Sequence, residues 1–205
     1  DRAFWGMTAT QFLGAFNDNV FKQLVLLLSV DYMLVHRLES DPYQTAALVV
    51  FSLPFVLLSG FAGWLADRVS KRRVIILCKL AEIVVMAAGL VAFASAERGT
   101  EALMVYLLIV LGVMAVQSAF FGPSKYGFLP ESLLDRDLPA VNGTVQMTTF
   151  LAIIFGQAFC GFGKQELEEA GYDLWPLSLF CLGIAVLRTL TSLLLRPLPA
   201  THPGL

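Results

Sequence analysis

The sequence predicts an all-α membrane protein of six transmembrane helices, on three observations. Its 205 residues are 57% hydrophobic and only 15% charged, where soluble domains carry about 25% charged residues, and its mean hydropathy is +0.72. Apolar stretches of spanning length recur, and three are free of any charge: Pro42–Ala66, Ala102–Ser124 and Leu138–Gly163. They are continuously apolar, whereas barrel strands alternate, so helices are expected. Finally, the basic residues between the stretches fall mainly on alternate connections, as in a multi-pass chain.

The first span, residues 8–30, contains the segment Gln11–Gln23, QFLGAFNDNVFKQ. Asn17, Asp18, Asn19 and Lys22 interrupt an otherwise apolar run. A charge near the bilayer centre costs at least ~2.5–3.5 kcal/mol, so such residues face a bundle interior or a water-filled cavity. On a helix, Gln11, Asp18 and Lys22 share one narrow face. Asp18 and Lys22 are also four apart with the acid first, the favourable orientation for attraction. Two readings follow: a polar stripe along a substrate path, or a self-neutralising pair that holds the helix to its neighbours. The default for intramembrane charges favours the first.

The connection after it, His36–Tyr43, matches H-x4-D through His36 and Asp41. That is the catalytic pattern of glycerolipid acyltransferases, but a short loop with no domain to bind a thioester is the wrong context. The second span, 44–66, carries Ser59 and Gly63 at close-packing spacing. The third, 74–95, has Lys79 and Glu82 near its start, read as snorkelling and mutually paired. The fourth, 102–122, is expected to end at Gly122–Pro123, with a loop to Pro139 that holds Lys125 and Tyr126 at headgroup depth. Interfacial anchoring and a functional role are both open for that pair.

The fifth span, 140–163, sets Asn142, Gln146 and Thr149 on one face, with Gln157 further along. These either line a cavity or join helices by hydrogen bonds, the second being slightly favoured. Ala152 and Gly156 read as a close-packing pair. An acidic connection, Lys164–Asp173, leads to the sixth span, 174–195, with Arg188 inside it. Arg188 either snorkels or meets a buried carboxylate. Trp5, Trp64 and Trp175 lie near span ends as interface anchors.

Lysines and arginines set the orientation. One side carries Arg2, Arg68, Lys71, Arg72, Arg73, Lys125, Arg136 and Arg196, the other only Arg37, Arg98 and Lys164. Both termini are therefore expected in the cytoplasm. The net charge of −2 gives no nucleic-acid footprint. Cys78, Cys160 and Cys181 are far apart in apolar stretches and read as small buried residues. No metal or cofactor is expected. The start at Asp1 fits a processed or excised segment, and no secretory signal pattern precedes the first span.

Three motifs carry a family resemblance. The string from Gly63 to Arg73, GWLADRVSKRR, resembles the G-x-L-x-D-R-x-x-[KR]-[RK] signature between helices 2 and 3 of the major facilitator superfamily, with Ser70 where a second glycine is usual. Together with QFLGAFNDNVFKQ and the segment Phe120–Glu131, FFGPSKYGFLPE, it is similar to the bacterial lysophospholipid transporter family. It is similar also to the transporter domain that some bacteria fuse to acyltransferase and acyl-carrier-protein synthetase modules. The resemblance implies that residues 1–197 are the N-terminal six-helix half of a twelve-helix transporter in the bacterial inner membrane. Residues 198–205 would be a cytoplasmic tail or the start of a linker to the second half. It implies a lysophospholipid substrate moved between leaflets by alternating access, with membrane lipids as surroundings and no enzyme activity. By position, Asn17, Asp18, Asn19 and Lys22 would meet the headgroup, and Lys125 the phosphate or the cytoplasmic gate. Asp67, Arg68 and Arg72 would be gating residues. The alternatives are a facilitator for another small solute and a membrane domain of a multi-domain lipid acyltransferase.

Overall fold

In a computed structural model the described residues form six α-helices: α1 (Arg2–His36), α2 (Pro42–Arg68), α3 (Lys71–Ser95), α4 (Glu101–Ser132), α5 (Leu138–Glu169) and α6 (Trp175–Leu193). The structure describes residues 2–69, 71–95, 100–132 and 138–193, and the expected tail 198–205 lies outside them. Among the described residues there is no strand, so the all-α class holds, and each expected span corresponds to one helix. Among the described residues, four helices contain stretches long and apolar enough to cross a membrane: Pro42–Ala66, Arg73–Ala94, Glu101–Gly122 and Leu138–Glu169. The apolar part of α6, Trp175–Leu190, is shorter. α1 is 35 residues long but is interrupted by its polar stripe.

The helix ends have local causes. Asp41 caps α2, accepting from the backbone N–H groups of Tyr43 and Gln44 at 3.0 Å each, with Pro42 in the first turn, where its missing donor costs nothing. α5 stops at a glycine: Gly171 has φ +74°, and Tyr172 N–H reaches back to the Leu167 carbonyl at 2.8 Å, the left-handed ending that glycine permits.

Two boundaries differ from the sequence reading. α4 does not break at Gly122–Pro123 but runs on to Ser132. Proline's fixed φ is itself helical, and the one backbone donor it removes is tolerated in membrane helices, as it is at Pro54 inside α2. α5 likewise continues past Lys164. Its last turns carry Lys164–Glu168 at 3.5 Å and Gln165–Glu169 at 2.9 Å, both four apart.

Packing centres on α1, which touches α2, α4, α5 and α6. The most extensive contacts are α2 with α4 and α1 with α5, followed by α3 with α6 and α3 with α4. When α1, α2 and α3 are exchanged with α4, α5 and α6, the α2–α4 contact maps onto α1–α5 and α3–α4 onto α1–α6, whereas the α1–α2 contact has no comparable α4–α5 counterpart among the described residues. Such a pattern fits two three-helix units of inverted topology. Large apolar side chains such as Val56, Phe61, Phe150 and Phe162 face outward while charged groups are buried, the arrangement of a bundle whose surroundings are lipid.

The α1–α5 contact depends on small residues. Ala152 and Gly156 are buried, and a Cβ at Gly156 would stand 2.7 Å from the Phe16 carbonyl oxygen. The Ser59–Gly63 pair has no such role within this bundle, because nothing lies within 4 Å of a Cβ at Gly63. Gly156→Val should therefore cost about 1–3 kcal/mol by overpacking. It should lower the melting temperature of the purified protein in detergent. Gly161→Ala, where a Cβ meets nothing within 4 Å, should leave it unchanged or raised. An undiminished melting temperature in Gly156→Val would refute the close contact.

Candidate functional site

Beneath the polar stripe lies a cluster of buried charges. Glu82 is 0% exposed, roughly 14 Å along α3 from the start of its apolar stretch. Its Oε1 accepts from Asn17 Nδ2 of α1 at 3.2 Å and from Arg188 Nη1 of α6, and its Oε2 accepts from Lys79 Nζ at 2.9 Å. Lys79 is 1% and Arg188 2% exposed. Phe121 of α4 covers both cations, its ring centre 4.1 Å from the Lys79 ammonium and 6.0 Å from the Arg188 guanidinium. Thr189 Oγ1 donates to the Lys79 carbonyl at 3.2 Å. Gly14 has no Cβ to displace the guanidinium that lies against it.

This settles two expectations. Lys79 and Glu82 do pair, but neither snorkels: both lie in the bundle interior. Arg188 meets the buried carboxylate, and that carboxylate is Glu82.

The four stripe residues divide. Asp18 and Lys22 stay partly exposed on one face of α1. They do not form an ion pair with each other. Asp18 Oδ2 accepts from Ser118 Oγ of α4 at 2.7 Å, and that hydroxyl accepts from Gln117 Nε2 at 2.8 Å. The Lys22 ammonium lies 4.8 Å from the centre of the Phe51 ring on α2. Asp18 Oδ1, Asn17 Oδ1 and Gln117 Oε1 are buried acceptors with no hydrogen-bond partner among the described residues. Asn17 and Asn19 turn inward, Asn17 to Glu82 and Asn19 to its own helix, donating to the Ala15 carbonyl at 2.7 Å. Gln11 joins α1 to α5 by donating to Thr149 Oγ1 at 3.1 Å, so Thr149 connects helices while Asn142 and Gln157 remain exposed.

At the other expected positions, Arg68 lies over the Trp64 ring at 4.5 Å, at the end of α2. The side chains of Asp67, Arg72 and Lys125 lie outside the described residues. His36 stacks on Tyr32 at 4.0 Å and Asp41 is occupied as a helix cap, so the H-x4-D match has structural tasks. Sequence reading missed one clasp: Lys164 of α5 bonds both oxygens of Asp31 on α1, at 2.6 and 2.7 Å. An unmatched carboxylate within the apolar end of α1 was the available signal. Among the described residues no three His, Cys, Asp or Glu side chains are placed to hold a metal.

Removing Glu82 leaves two buried cations around one empty position. Glu82→Met should therefore cost about 3–5 kcal/mol, the range for breaking a buried ion pair from one side. Reduced membrane abundance and a lower melting temperature in detergent are the expected result. Wild-type stability would mean that water reaches the cluster.

Comparison with known proteins agrees with this architecture. The family model described as Major Facilitator Superfamily matches residues 7–204. The lysophospholipid transporter LplT of Serratia proteamaculans (strain 568) is 26% identical over 206 residues, which cover 99% of this chain and 45% of that protein. The lysophospholipid transporter LplT of Photorhabdus laumondii is 32% identical over 162 residues, 78% of this chain and 36% of the relative. The chain thus spans less than half the length of these relatives. No solved structure matches it significantly. With a family match over nearly its whole length and a bundle of outward-facing apolar helices, the chain is a multi-pass membrane protein of the Major Facilitator Superfamily, a family of transporters and not of enzymes.

Proposed function

We propose that this chain is the N-terminal six-helix half of a lysophospholipid transporter of the bacterial inner membrane, with residues 1–197 as the bundle and 198–205 leading towards a second half. Transport proceeds by alternating access, the two halves rocking about a headgroup site at the midplane. Both termini of the segment face the cytoplasm, in keeping with the basic residues concentrated on that side.

The observation that carries this reading is the state of Asp18 and Lys22. Both are charges on one face of a membrane helix, and they form no ion pair with each other. A lysophospholipid headgroup brings a phosphate and, in the ethanolamine form, an ammonium. Asp18 Oδ1 is a buried acceptor with no hydrogen-bond partner among the described residues and could take an ammonium, and Lys22 is suited to phosphate. Asn17 and Asn19 shape the site from within, and Lys125 acts near the phosphate or at the cytoplasmic gate. Asp67, Arg68 and Arg72 act in gating at the end of α2 and the start of α3. The relatives named as lysophospholipid transporters favour this substrate over another solute.

The test is uptake of labelled lysophosphatidylethanolamine by spheroplasts that express the full-length protein, with Asp18→Asn alongside. Asp18→Asn should reduce uptake about tenfold or more with membrane abundance unchanged, the loss of a charge-assisted contact. Normal uptake in the variant would make the stripe structural. No uptake by the wild type above an empty-vector control, with the protein verified in the membrane, would redirect the reading to another solute.

A further inference from the structure

Glu82 is fully buried and shares no surface with the partly open face of α1, yet it is bonded to that helix. Its donor on α1, Asn17, is the immediate neighbour of Asp18. The guanidinium that shares its Oε1 rests against Gly14, one turn before Asp18. α1 is thus held at two points on its inner side, by one carboxylate of α3 acting directly and through α6. α4 contacts the same assembly twice, with Ser118 on Asp18 and Phe121 over Lys79 and Arg188.

The charges are also coupled. Lys79 and Arg188 are two cations around one carboxylate, and Asp18 supplies the second carboxylate beside Asn17. A rotation of α1 that moved Asp18 would pull Asn17 from Glu82 and turn Gly14 away from Arg188, bringing a position with a side chain against the guanidinium.

We propose that Glu82 is a positioning residue for transport. Through Asn17 and Arg188 it fixes the rotation of α1 about its axis, and so the direction in which Asp18 and Lys22 are presented. The kinetic part of this inference rests on the transport reading above. The geometric part does not.

The two parts are tested together in the full-length protein carrying Ala15→Cys. Ala15 lies on the face of Asp18 and Lys22, three residues before one and seven before the other, and is partly exposed. The reporter is its rate of reaction with a membrane-permeant maleimide, corrected for the protein without Ala15→Cys, in which Cys78, Cys160 and Cys181 are buried. The variant is Glu82→Gln with Lys79→Gln, which removes one charge of each sign. Expected are near wild-type membrane abundance, an altered labelling rate at position 15 of about fivefold or more, and a KM for lysophosphatidylethanolamine raised about tenfold with Vmax within about twofold. Unchanged labelling and KM, with or without a lower melting temperature, would overturn the proposal and leave the cluster as structural support. Should the double variant fail to reach the membrane, Arg188→Lys keeps every charge but withdraws the guanidinium from Gly14, and the same two readouts decide. If the wild type moves no lysolipid, the transport reading fails on its own and the labelling rate alone decides whether Glu82 positions α1.

Discussion

A carboxylate that folds into the middle of a lipid-embedded bundle must be matched there, because water cannot reach it. Glu82 is matched by donors from three helices: Asn17 on α1, Lys79 on its own helix α3, and Arg188 on α6. The apolar packing that joins these helices is non-directional and would accept several rotations of each. Three converging hydrogen bonds would not. The cluster therefore contributes most as a register mark among α1, α3 and α6, since a buried ion pair adds little net stability over well-packed apolar residues. Gly14 is the local consequence: the guanidinium takes the space a side chain would occupy.

The same constraint explains how α1 serves two surfaces. Its inner side is fixed by Asn17, Gly14 and the close approach of Phe16 to Gly156 on α5. The clasp of Asp31 with Lys164 anchors its far end to the same neighbour. With those contacts in place, Asp18 and Lys22 have no choice of face. Ser118 and Phe51 receive them without neutralising either charge.

Much of the architecture was legible in the sequence because the membrane imposes it. A spanning helix needs about 20 apolar residues, so the six helices and their order followed from composition. The polar stripe of α1 stood out against that background, and so did the oddity of Lys79, Glu82 and Arg188. The Lys79–Glu82 pair was legible too, but that the carboxylate meeting Arg188 is Glu82 was not, since Arg188 lies 106 positions from Glu82 and only the packing of α3 on α6 brings them together. That Asn17 turns to Glu82 and Asp18 to Ser118 was equally hidden. Adjacent residues on a helix point about 100° apart, and which direction faces the bundle depends on neighbours the sequence does not place. The extension of α4 past Pro123 was misread because proline is a breaker in water, where a freed carbonyl has other partners, but is tolerated within a long membrane helix.

The central claim is that a lysophospholipid headgroup meets α1 between Gln11 and Gln23. The most direct measurement is photo-crosslinking of the full-length protein in membranes with a lysophosphatidylethanolamine that carries a photoreactive group at its headgroup end, followed by mass spectrometry of the adducts. The account predicts adducts within Gln11–Gln23 that unlabelled lysolipid competes away. Adducts confined to the outward apolar faces of α2 and α5, and indifferent to competitor, would contradict it.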